Sequence, residues 1–234
     1  MMLRTAYTLI SENNTLLRAS HDEFDCFLKP AVNSNFCMAI SDRIGYNTEA
    51  QREGEAMEAL REEEFYTVED IYALPDGERA ELIDGRIYFM AAPGRKHQLL
   101  LGTLYRKIAD YIDSQAGECE VDIAPFAVFL NNDSKNYVEP DICVVCDRSK
   151  LDDRGCNGAP DWIIEIVSPS SRSMDYYKKL FKYRTAGVRE YWVVDIERQI
   201  ATVYNFEQDN MEEYSFGKEI PVGIYDGFSM KIQE

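Results

Sequence analysis

Two carboxylates stand inside runs that otherwise read as buried strands. Asp141 follows Pro140 and opens the run Ile142-Cys143-Val144-Val145-Cys146, and Glu165 divides Trp162-Ile163-Ile164 from Ile166-Val167. An ionised carboxylate among such neighbours is costly unless a cation or hydrogen-bond donors meet it. Two on adjoining strands repel unless positive charge lies between them. Mg2+ would meet that need, because it takes hard oxygen ligands, commonly one or two carboxylates, with water and substrate phosphate completing the shell. Lys179 is the other source of positive charge. It follows Asp175 by four residues, the spacing of neighbours on a helix face, while Tyr176, Leu180 and Tyr183 make that helix's apolar stripe. From the residues alone two readings stay open: a metal site, or a buried ion pair of Asp141 and Glu165 with Lys179.

The elements that must position these groups follow an α/β pattern. Thr67-Val68-Glu69-Asp70 reads as a helix N-terminus, stopped by Pro75-Asp76-Gly77. A hairpin is expected over 80–83 and 86–90 around Asp84-Gly85, a strong two-residue turn signal. Leu100, Leu101, Leu104, Tyr105, Ile108, Tyr111 and Ile112 recur at helical spacing over 96–115. Strands are expected at 119–130, 137–146 and 161–167, the last two nearly continuous apolar runs covered on both faces. A helix over 173–186, strands at 190–195 and 200–206, and short β segments to the end complete the order. The core thus reads helix, strand, strand, strand, helix, strand, behind a leading hairpin.

Residues 1–56 carry no sustained period of 2 or 3.6 and read as an N-terminal extension, with the ordered domain from 57 to 234. The purine-codable stretch Arg52-Glu53-Gly54-Glu55 just ahead of Met57 leaves two readings: a disordered arm, or an untranslated leader with Met57 the natural start.

The 234 residues include 25 Lys and Arg against 42 Asp and Glu, a net charge of −17, and 45% are hydrophobic. Such a chain is too apolar for wholesale disorder, and too acidic for a general nucleic-acid or membrane-surface binder. No apolar run approaches the roughly 20 residues of a membrane span, and the polar start argues for the cytoplasm. There the six cysteines are expected to remain thiols. Cys143 and Cys146 form a C-x-x-C within a strand, read as a buried structural pair rather than a metal site.

Several segments resemble the PD-(D/E)XK nuclease superfamily and, within it, a bacterial family of Uma-type restriction endonucleases. They are Glu81-Leu82-Ile83-Asp84-Gly85, the isolated His97, Glu139-Pro140-Asp141-Ile142, Gly158-Ala159-Pro160-Asp161 and Glu165-Ile166-Val167-Ser168-Pro169-Ser170. The likeness continues through Asp175, Lys179 and Tyr183 to the run 186–195, and spans about residues 62–206. It implies a restriction-endonuclease-like core and metal-dependent hydrolysis of DNA phosphodiesters. Asp141 and Glu165 would ligate Mg2+, with Mn2+ as a substitute ion. The superfamily's lysine two residues after the second acid is Val167 here, and Lys179 takes its place from the following helix. Glu81 would bind a second metal or pair with Lys179, and His97 would contact substrate. DNA is the implied substrate and a homodimer the implied assembly. The acidity keeps two rivals in view: a nuclease fold that binds or regulates without cutting, and a phosphodiesterase acting on another nucleic acid or phosphate ester.

Overall fold

The computed structural model describes residues 7–10, 16–19, 65–168 and 171–233. The chain forms two compact units, 1–63 and 64–234. The expected boundary at 56/57 lies outside the described residues. In the first unit β1 (Tyr7–Ile10) and β2 (Leu16–Ala19) pair antiparallel, a hairpin that the sequence pattern did not announce.

The second unit opens with α1 (Val68–Tyr72), where Thr67 and Asp70 close a capping box: the Thr67 backbone N–H donates to the Asp70 carboxylate at 2.7 Å. The hairpin of β3 (Ala80–Ile83) and β4 (Arg86–Phe89) follows as expected. Its turn residues Asp84 and Gly85 have φ of 52° and 74°, backbone that Asp tolerates and Gly adopts without strain. Next comes α2 (Arg95–Ser114), the long amphipathic helix.

Beyond it two expected strands are interrupted, each at a proline. The stretch 119–130 yields β5 (Glu120–Ile123) and β6 (Val128–Phe129), which join different sheets on either side of Pro125. The stretch 137–146 shows single bridges at Tyr137 and Val138, and only after Pro140 does β7 (Ile142–Val145) begin. Proline has no N–H to give a ladder, so an apolar run containing one cannot pair throughout its length. Two short strands, β8 (Leu151–Asp152) and β9 (Gly155–Asn157), form a small sheet with β6.

The central strand β10 (Trp162–Val167) leads into α3, a π-helical turn Met174–Lys179 that continues as α-helix Leu180–Ala186 and stops at Gly187. Gly187 has φ of 97°, the left-handed cap that ends many helices. Then come β11 (Glu190–Asp195), β12 (Ile200–Asn205), β13 (Asn210–Ser215), β14 (Glu219–Pro221) and β15 (Ser229–Lys231).

Six strands make one mixed sheet in the order β13-β12-β11-β10-β7-β5. Only β10 and β11 run parallel, joined through α3. Alternation along the strands sends Ile142, Val144, Trp162, Ile164 and Ile166 to the face covered by Leu100, Leu101, Leu104 and Ile108 of α2. Cys143, Val145, Ile163, Val167 and Val193 go to the other face, beneath Tyr183 of α3. Every residue of β7, β10 and β11 is buried, as continuous apolar runs require.

The cysteines depart from expectation. Cys146 is disulfide-bonded to Cys119, while Cys143 and Cys156 are buried thiols. Three residues apart in an extended segment, Cys143 and Cys146 point to opposite faces, so they cannot act as a pair. Cys146 instead meets Cys119, which precedes β5 on the neighbouring strand.

Glu190 opens β11 fully buried. Its Oε1 accepts from the Trp192 indole and its Oε2 from the Ile224 N–H at 3.0 Å. Burial outweighs these donors and pushes its carboxyl from 4.5 up to about 6. A raised folded-state value means stability present below the unfolded value and lost as pH rises through the folded one. Urea unfolding of wild type and Glu190→Gln is therefore expected to show wild type gaining about 1 kcal/mol on the variant between about pH 7.5 and about pH 5. A pH-independent difference between the two would refute the coupling.

Candidate active site

Three strands and one helix bring the singled-out carboxylates together. The β7–β10 register pairs Ile142 with Ile164, so one step further Asp141 stands opposite Glu165, on the face toward α3. Pro140 has ended the backbone ladder there, and the Asp141 side chain takes it over. The Ile166 N–H donates to Asp141 Oδ2 at 2.8 Å. His97, in the first turn of α2, approaches the same oxygen with Nε2 at 3.0 Å, while its Nδ1 is buried without a partner among the described residues. Burial pulls the His97 pKa down, but the adjoining Asp141 charge outweighs it and the net shift is upward.

Deeper in, Lys179 is the hub. Its ammonium lies 2.8 Å from the Glu81 oxygens, 2.9 Å from Glu165 Oε1 and 3.7 Å from Asp175 Oδ1. All four side chains are buried. Burial alone would lower the Lys179 pKa, yet Glu165, Glu81 and Asp175 together hold it protonated well above its ordinary value. The Glu165 pKa is raised as well: burial, then Asp175, Asp141 and Glu81, push it up against the pull of Lys179. Asp175 rises for the same reasons, burial first. Glu81 comes from β3 and is held by the Glu139 N–H at 3.0 Å. Glu139 in turn accepts from Tyr137 Oη at 2.7 Å and from Arg79 Nε at 2.9 Å.

Of the residues singled out from the sequence, Glu81, Glu165 and Lys179 thus meet directly, and Asp141 and His97 form an adjoining pair. Two further members had not been singled out as site residues. Both belong to the family likeness, but from the residues Asp175 reads only as a helix neighbour of Lys179, and Tyr183 only as part of the apolar stripe. The Tyr183 hydroxyl donates to Glu165 Oε1 at 2.7 Å. The regular step of four from 175 to 179 to 183 was the available signal, since it puts all three on one helix face.

The donor set suits a hard divalent ion. Three buried carboxylates share one ammonium, and Asp141 adds a fourth negative group beside them. Glu165 Oε2 and Asp141 Oδ1 accept no hydrogen bond from the described residues. Among those residues no three His, Cys, Asp or Glu side chains converge on one point. A Mg2+ site built on two carboxylates does not need a third.

Among the described residues no helix is long and apolar enough to cross a membrane. A putative nuclease of the DUF820 group from Anabaena variabilis, solved by crystallography, superposes with a TM-score of 0.59 at 22% identity, over 70% of this chain and 94% of that one. That likeness shows a shared α/β fold. An uncharacterized protein of Synechocystis is 28% identical over 98 residues, 42% of this chain, and the matched region spans about half (50%) of that relative's length. Residues 63–233 match a family described as putative restriction endonucleases, and on that match the chain belongs to the Uma2 family.

Proposed function

We propose that the unit 64–234 is a metal-dependent nuclease that hydrolyses phosphodiester bonds in DNA, with Asp141 and Glu165 as the ligands of Mg2+ or Mn2+. The observation that carries this reading is the surplus of buried carboxylate over ammonium around Lys179. Such a surplus is costly in a protein interior unless a cation answers it. When bound, the ion supplies Lewis acidity toward a phosphate oxygen and the attacking water.

The chain's own groups divide the remaining work. Ile166 and His97 hold Asp141 in place. Glu81 anchors Lys179, whose ammonium offsets the charge of Glu165 and acts on negative charge developing at the phosphate through its field. Asp141 and His97 form the open side of the site, with side chains 17% and 16% exposed against 5–6% for Glu81, Glu165, Asp175 and Lys179. DNA would approach from there, with His97 on the substrate side. The same reading extends to a cytoplasmic protein and to a homodimer, in which two such sites could cut two strands.

A net charge of −17 disfavours tight duplex binding without a divalent ion, and so keeps a non-cutting module as the rival. Supercoiled plasmid separates the two. Nicked or linear product is expected with Mg2+ or Mn2+, and none after chelation with EDTA. Metal binding without cleavage of double- or single-stranded DNA would overturn the nuclease assignment in favour of that module.

A further inference from the structure

Tyr183 has no task in the proposed hydrolysis, yet its hydroxyl sits on one of the two proposed metal ligands. The ring is fully buried, edge-to-face against Tyr191 with centroids 4.9 Å apart. Its hydroxyl donates to Glu165 Oε1, the same oxygen that accepts from Lys179 Nζ at 2.9 Å. Two donors thus converge on Oε1, while no described residue donates to Oε2. Asp141 shows the same division: Ile166 and His97 both meet Oδ2, and no described residue donates to Oδ1. A buried phenol does not need a carboxylate to satisfy its hydroxyl. Tyr191, alongside, donates to the backbone carbonyl of Asp175 at 3.1 Å.

We propose that Tyr183 is a positioning residue for metal binding, its hydroxyl fixing the rotation of the Glu165 carboxylate so that Oε2 is left for the ion. The terminal torsion of a glutamate is broad and roughly two-fold, so the carboxylate needs outside help to hold one orientation. The Lys179 ammonium is a rotatable point charge on a long stem and holds it poorly. A phenol on a ring packed between a helix and a strand is directional. Donors that orient a ligand in this way are worth roughly 10–100-fold in metal affinity. The inference rests on reading Glu165 as a metal ligand, and adds a residue that touches neither ion nor DNA.

Mn2+ binding to the full chain, followed by titration calorimetry without DNA, tests it. Tyr183→Phe keeps the ring and deletes only the hydroxyl, and is expected to weaken Mn2+ binding about 10-fold or more. Its kcat should fall while KM for DNA holds. Tyr191→Phe removes the neighbouring hydroxyl without touching Glu165, and should bind Mn2+ as wild type does. Glu165→Gln should lose binding. If Glu165→Gln loses Mn2+ while Tyr183→Phe keeps the wild-type Kd, the Tyr183 assignment falls and the metal reading stands. Equal weakening by Tyr191→Phe also overturns the assignment, because packing would then explain the effect. Wild type without Mn2+ affinity, or Glu165→Gln binding normally, removes the metal reading and this assignment with it.

Discussion

Asp141→Asn is expected to fold normally and to lose Mg2+-dependent DNA cleavage by about three orders of magnitude. The substitution separates the two tasks of this side chain. An amide oxygen can still accept from the Ile166 N–H, so the link between β7 and β10 survives. The NH2 group then takes the place of Oδ1, the oxygen that no described residue occupies, and it offers a hydrogen-bond donor where a cation needs a lone pair. A metal contributes several kcal/mol of transition-state charge stabilisation, and about 4 kcal/mol corresponds to three powers of ten in rate. The check is a single-turnover plasmid assay beside urea unfolding of the same preparation. Cleavage within about tenfold of wild type, at unchanged stability, would remove Asp141 from the site.

Lys179→Met should damage the fold itself, lowering the unfolding free energy of metal-free protein by about 3–5 kcal/mol. Methionine nearly matches the lysine stem, so packing of α3 changes little. What disappears is the one ammonium shared by Glu81, Glu165 and Asp175, all buried. Stranded carboxylates must then protonate or draw in water, and either response loosens the helix from the sheet. Adding Glu81→Gln to Lys179→Met removes one of the stranded charges and should recover part of the loss. Urea unfolding of the two single variants and the double variant gives the coupling free energy directly. A cost below about 1 kcal/mol for Lys179→Met would mean that the cluster is not what holds α3 in place.

Much of the frame was legible because its causes are local. Asp84-Gly85 specified a tight hairpin because its two positions need φ above zero. The 3.6-residue period specified α2, and the unbroken apolar runs of β10 and β11 specified strands buried on both faces. The runs 119–130 and 137–146 are apolar enough for whole strands, but Pro125 and Pro140 interrupt them because each lacks the N–H a ladder needs. The cysteine pairing was harder. Sequence spacing draws the eye to Cys143 and Cys146, whereas only the β5–β7 register shows that Cys119 is the neighbour.

For the site, the ingredients were readable from the residues: buried-strand acids at 141 and 165 that demand compensation, and a lysine on the next helix able to supply some of it. The wiring came from the packed fold. Lys179 meets Glu81 across 98 residues of chain, His97 meets Asp141 across 44, and Tyr183 gives its hydroxyl to Glu165 rather than to a backbone carbonyl. Propensity and periodicity act over a few residues. Partners this distant are chosen by strand register and by which helix face lands on which strand, and those are settled only when the whole core packs.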